Sequence, residues 1–365
     1  MHLKPGRAHR FRATVVAFAI AGAAFAVAPP AAAQKPSLGA SAVQAIEIVA
    51  KPIVSFDRPG TDRKRFGRLE WRGGLVLTSP SEHFGGWSGL TISPDGKRIL
   101  AISDAGTWMT ADLAYNDGRP AGLHDAKVGP LLGVGGRPLT RNRDRDAEGV
   151  TLASGTLDKG TVLISFEGNH RIGRFRIDST GISAPIGYLR LPPEAKRMKR
   201  NSSLESVAVL QGGRYKGSTV AFAERLPNNR GDHTGWIWID GNAKAFYLSD
   251  PGEFDITDAV GLPDGGLLVL ERRFRWTEGV KMRLRLLTAN ELAPGASLQG
   301  ETLFEANMSY DIDNMEGIAT HTGPRGETII TLISDNNFNT LIQRTILLQF
   351  GLAGESTAKA STPQK

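Results

Sequence analysis

The stretch RDRDAEGVTL, residues 143–152, sets Asp144, Asp146 and Glu148 at alternate positions and then turns into a small, apolar run. Carboxylates held this close repel one another, and near neutral pH some keep a proton unless a cation neutralises them. The pattern recurs along the chain. AEGV at 147–150 is matched by WSGL at 87–90, LESV at 204–207, TDAV at 257–260 and MEGI at 315–318, with starts 60, 57, 53 and 58 residues apart. Each is followed by a second apolar run that closes on an acid: ILAISD at Asp104, VLISFE at Glu167, VAFAE at Glu224, LLVLE at Glu271 and TLISD at Asp335.

The elements that must position these residues are short strands. In the second repeat the apolar runs predict strands at about 148–153, 161–167, 171–177 and 186–191, joined by Gly-, Asp- and Asn-rich turns. Four antiparallel strands per repeat of this length describe a propeller blade. The expected fold is therefore all-β: a single β-propeller of five or six four-stranded blades, with an acidic mouth to its central channel. Consecutive antiparallel strands bring the start of the first and the end of the second to one sheet edge. Ser88/Asp104, Glu148/Glu167, Glu205/Glu224, Asp258/Glu271 and Glu316/Asp335 are thus expected to converge on that mouth. Strand-like runs at about 45–55 and 67–78, with TILLQF near the C-terminus, either close the ring or complete a sixth blade.

Those acids are candidate metal ligands. The chain has no cysteine, and five histidines remain after the leader described below, so the donors on offer are hard oxygens. These suit Ca²⁺ first, and Mg²⁺ or Mn²⁺ less well. Acids in turns also cap backbone amides or pair with arginines, and that use competes with metal binding at each position. Basic residues follow the second acids: His170 and Arg171 after Glu167, Arg225 after Glu224, Arg272 and Arg273 after Glu271. Arginine beside an acidic, cation-bearing ring suits an anionic oxygen ligand such as phosphate. KRMKR at 196–200 and Arg141, Arg143 and Arg145 read equally well as solvated surface charge.

The first residues carry Lys4, Arg7, Arg10 and Arg12 ahead of an apolar run from Ala13 to Ala28, then Pro29, Pro30 and three alanines. This is the pattern of a secretory signal peptide over 1–33, cut between Ala33 and Gln34. Segment 34–41 reads as flexible, 42–352 as the propeller domain and 353–365 as a disordered tail. The expected product is a periplasmic or secreted monomer with no membrane anchor in the mature chain. Those four cations account for four of the seven net positive charges, leaving +3. So small a charge gives no case for nucleic acid as a partner.

Several chemistries are absent. GGWSGL is not G-x-S-x-G, because Leu90 holds the fifth position, and no H-E-x-x-H or P-loop occurs. DIDNMEG at 311–317 begins like a calcium loop, but Met315 takes a ligand position. SDAGTW at 103–108 reads as a turn.

GGWSGL with ISDAG, DAEGV with FEGNHRIGRF, NSSLESVAV with AERL, and DIDNMEGIA with LISDNN together resemble the phytase-like family, "esterase-like activity of phytase". The resemblance spans Gly67 to Leu352. It implies a β-propeller with an acidic, calcium-binding central site and a hydrolase activity. The leading expectation is a Ca²⁺-dependent phosphoester hydrolase acting through metal-activated water on an anionic small-molecule ester. Glu148, Glu205, Glu316 and Asp335 would hold the cation, and Arg171, Arg225 or Arg272 would neutralise phosphate oxygens. A carboxylic-ester or lactone hydrolase on the same metal site is the second expectation. A non-catalytic, metal-stabilised binding propeller is the third.

Overall fold

A computed structural model describes residues 43–199 and 204–353. The expected signal peptide, the junction at Ala33 and Gln34, segment 34–41, Arg200 of KRMKR and the tail from Gly354 lie outside the described residues. Five blades, antiparallel except for one short outer strand, are formed among the described residues, resolving the alternative of five or six. From the inside outwards, blade 1 runs Trp87–Ile92, Arg98–Ser103, Thr107–Asn116 and Arg119–Pro130. Blade 2 runs Ala147–Thr156, Lys159–Phe166, Arg171–Asp178 and Gly181–Tyr188. Blade 3 begins with the short strand Ala208–Val209 and runs to Asn242–Leu248, which Ser297–Leu298 joins in parallel at the outer edge, and blade 4 spans Asp255–Gly261 to Glu301–Ala306. In blade 2 the last strand lies earlier than its apolar pattern predicts, because a tight turn at Thr180 follows Asp178 directly.

Blade 5 is composite. Asn314–Thr322, Thr328–Asp335 and Thr345–Leu352 come from the C-terminal end, and Leu69–Thr78 from the N-terminal end completes the sheet antiparallel to Thr345–Leu352. The ring is thus closed by hydrogen bonds between the two ends of the domain, with Val49–Ile53 pairing outside Leu69–Thr78 as the outer strand of that sheet. An aromatic cluster seals the junction. The Phe56 ring stacks on Trp71 at 5.4 Å and meets Phe350 edge-on at 4.9 Å, pairs worth about 0.5–1.5 kcal/mol each beyond simple burial.

The channel narrows to a waist just below its mouth. A side chain at Gly89 would lie 2.8 Å from the Glu148 carbonyl, one at Gly149 would lie 2.8 Å from the Val207 amide, and one at Gly317 would lie 3.0 Å from the Leu90 amide. The inner strands of neighbouring blades therefore approach backbone to backbone. In the E-G pair of the repeat, the acid reaches the mouth and the glycine permits the waist.

Candidate functional site: an acidic channel mouth

Side chains reach the mouth through bulges. Opposite Ser103, Phe166 and Ser334 stand Trp87, Ala147 and Met315, and the ladder slips immediately after each of these three. Ser88, Glu148 and Glu316 occupy the slip. A bulge turns a side chain out of the regular alternation, and such irregularities gather beside sites for that reason. Leu204 bridges Ala223, so Glu205 and Glu224 take the same places in blade 3.

Blade 4 departs from its sequence pattern. Ile256 stands opposite Glu271, and the slip falls at Thr257, so Thr257 and Arg272 occupy the positions that acids hold elsewhere. TDAV and LLVLE are both one residue out of register with the other repeats. Asp258, expected at the mouth, falls where the other blades have Gly89, Gly149, Ser206 and Gly317. It is 1% exposed and accepts hydrogen bonds from its own following amide at Ala259 (2.8 Å) and from Ile318 of blade 5 (2.9 Å). Burial pushes its carboxyl well above the usual range despite those amides. Glu271, also expected at the mouth, is fully buried on the opposite sheet face. Arg283 Nε donates to it at 2.6 Å, and Arg285 donates to both of its oxygens. A slip of one residue moves a side chain to the other face, which is why both acids miss the mouth.

Four of the remaining acids, Glu148, Glu167, Glu205 and Glu224, come together in two carboxylate groups with one addition, Asp146, whereas Glu316, Asp335 and Asp104 belong to neither group. Carboxylate oxygens of Asp146, Glu148 and Glu167 lie within 4.8 Å of one another, and so do those of Glu167, Glu205 and Glu224. Glu167 is common to both groups. Burial raises the Glu148 and Glu205 carboxyls well above the ordinary range, and repulsion from neighbouring acids adds to the effect. Glu316 is raised as well, chiefly by burial, with Arg272 working against the shift from 3.3 Å. Asp104 stands at the same level in blade 1, against Gly86, and Asp335 is buried at the end of its strand in blade 5.

Asp146 has no place in the repeat pattern, because it precedes the first strand, Ala147–Thr156. The loop that carries it is gripped by the next turn. Asn169 accepts this role through its amide to the Arg143 carbonyl (2.8 Å) and its side chain to Asp144 (3.1 Å), while the Glu167 amide donates to the Asp146 carbonyl (2.8 Å). Gly168, at φ +60°, fits because any side chain there would strike the Arg143 backbone at 2.6 Å.

Two expected anion-binding residues belong to the same scaffold. Arg171 lies over the Phe166 ring at 3.8 Å and donates to the carbonyls of Asn169 (2.8 Å) and Asp144, so it builds the loop. His170 hydrogen-bonds the backbone of Met198, and burial lowers its pKa. The other two stand at the mouth, Arg272 beside Glu316 and Arg225 paired with Asp255 at 2.8 Å. The acids of DIDNMEG divide similarly. Asp311 and Asp313 hold Arg344, and Glu316 joins the ring.

Fold and mouth together define a five-bladed propeller whose channel ends in crowded carboxylates. The family described as "Phytase-like: Esterase-like activity of phytase" matches residues 82–338, and the chain belongs to it. Among solved structures the chain is similar to one described as "Structure of Dos1 propeller", at 8% identity and a TM-score of 0.34, over 79% of this chain and 76% of that one. No curated protein matches the chain.

Proposed function

We propose that the chain is an exported ester hydrolase, with phosphoesters as first substrates, whose mouth holds divalent cations, Ca²⁺ before Mg²⁺ or Mn²⁺. One observation carries this reading: two carboxylate groups of three, joined at Glu167, each hold their oxygens within 4.8 Å of one another, with two members pushed toward protonation. The donor set is all hard oxygen and fits a cation of that class. Asp146, Glu148 and Glu167 would hold one ion, and Glu167, Glu205 and Glu224 a second. A cation bound there supplies Lewis acidity to an ester oxygen and acidifies a water.

The protein's own groups do the rest. Near the second triad, Arg272 stays charged through Glu316 first and then Asp255, Glu205 and Glu224, and presents a guanidinium to the mouth, placed to meet an oxyanion. In hydrolysis the water oxygen joins phosphorus, the ester P–O bond breaks, and the water proton passes to the leaving alcohol. Carboxylic esters are the second reading. It is favoured by the pairing of the described arginines at the mouth, since Arg272 leans on Glu316 and Arg225 on Asp255 and Glu224. The leader-like N-terminus supports export.

The test is calcium titration of EDTA-treated protein, followed by a screen with 4-nitrophenyl phosphate, bis(4-nitrophenyl) phosphate and 4-nitrophenyl acetate. Calcium at 100 times its Kd is expected to stabilise the fold by about 2.7 kcal/mol for each occupied site, and Glu167→Gln, common to both triads, to abolish the shift and the turnover together. A calcium-loaded protein that hydrolyses none of the three esters would overturn the reading.

A further inference from the structure

The geometry points to an ester with a bulky apolar group, an alkyl or aryl ester, as the substrate of the mouth; this rests on the ester-hydrolase reading above. The second and third strands of blade 4 stay paired for four residue pairs beyond Glu271, out to Arg275 and Gly279, whereas blade 1 turns directly after Ser103. The extension is an arm at the mouth end of the propeller. Phe274 stands on it two residues from Arg272, on the same strand face, and its ring meets Trp276 edge-on at 5.4 Å. Trp276 is 93% exposed, while the other five tryptophans are buried in the core.

A second apolar group rises from blade 5. The connection that leaves Asp335 carries Leu341, 95% exposed, and Ile342, 77% exposed. Arg344 ties that connection down, through its side chain to Asp311 (2.8 Å) and its amide to Asp313 (3.1 Å). Its start is pinned too. The Asn336 side chain caps the Phe338 amide at 3.0 Å, and Asn337 and Phe338 both sit at positive φ, +47° and +53°. Positive φ is unfavourable for a phenylalanine, and the Phe338 ring is held there against Gly85 and Gly86.

Apolar side chains left in water on two adjacent blades contribute nothing to the core. Phe274 and Trp276 stand on the arm that carries Arg272, and Leu341 and Ile342 on the connection that follows Asp335 at the same end of the neighbouring blade. A ligand with a charged or polar ester head and an apolar tail can thus meet both chemistries in one pose. The tail removes Phe274 and Trp276 from water while the head lies on the cation side.

The exposed tryptophan is the reporter. In calcium-loaded protein, acrylamide quenching of Trp276 is measured with octylphosphonate, with methylphosphonate and with phosphatidylcholine vesicles. Octylphosphonate is expected to shield Trp276 and methylphosphonate not. In parallel, kcat/KM on 4-nitrophenyl esters is expected to rise at least about tenfold from acetate to octanoate, as a few methylenes removed from water give, and Phe274→Ser/Trp276→Ser to flatten that ratio toward one. Equal quenching with both phosphonates, or the same ratio in the variant, overturns the inference. Shielding by vesicles alone overturns it in favour of a membrane surface. If octylphosphonate shields Trp276 but no ester is turned over, the hydrolase reading fails while recognition of an apolar anion stands.

Discussion

Blades 2 and 4 carry the same sequence device, a small strand opened by an acid and a second strand closed by one, and put opposite chemistry at the channel. In blade 2 the slip in the ladder falls at Glu148, so Asp146, Glu148 and Glu167 crowd together at the mouth. In blade 4 it falls at Thr257, which sends Asp258 to the waist and Glu271 into a buried cage of two arginines. What reaches the mouth from blade 4 is Arg272. The difference teaches that an acid's position in a repeat predicts its use only once strand register is known. A carboxylate with a buried arginine partner holds the fold together, whereas burial among other carboxylates pushes Glu148 and Glu205 toward their protonated form.

The comparison breaks most visibly at Glu271. Glu271→Gln leaves Arg283 and Arg285 buried without a counter-charge, at 3% and 1% exposure, and is expected to cost about 3–5 kcal/mol in a denaturant melt. Glu148→Gln in metal-free protein should do the reverse and raise the midpoint, because it removes a member of a repelling group. A Glu148→Gln loss as large as that of Glu271→Gln would show that the two blades do not differ in kind.

Acidity sharpens the contrast. A carboxyl raised in the folded state keeps a proton that the unfolded chain releases above its ordinary value of 4.5, so the folded state loses ground as pH climbs. Without metal, melting between pH 5 and pH 8 is expected to show stability falling with pH, by up to about 1.4 kcal/mol per pH unit for each such group. Calcium should reverse the slope, since its ligands must be deprotonated. A metal-free protein that gains stability across that range would contradict the crowding.

The smallest expected effect is at Thr257, whose hydroxyl bonds the Met315 carbonyl at 3.2 Å. Thr257→Val is expected to cost about 1 kcal/mol in the same denaturant melt and leave the calcium midpoint in a fluorescence titration where it was. A shifted calcium midpoint would place blade 4 inside the metal site after all.

Much of the site was legible because its logic is local. A propeller blade repeats its own strand order, so Glu148, Glu167, Glu205, Glu224 and Glu316 could be placed at one edge from alternation and antiparallel connection alone. Asp146 stood in plain view in RDRDAEGV, and the signal that could have found it was its alternate spacing with Glu148. Arg171 looked like a free cation because nothing in FEGNHR shows that the turn folds back on the Arg143–Asp144 backbone.

The chain alone determined the fold class, the number of acid-bearing repeats and the hardness of the donors, since periodicity, turn residues and the lack of cysteine are properties of neighbours in sequence. Tertiary structure decided which strand completes blade 5, where each bulge falls, and therefore which acids meet. Those outcomes depend on contacts between segments far apart in the chain. In a sheet a single residue of register exchanges the two faces, and only the packing of one blade against the next selects between them.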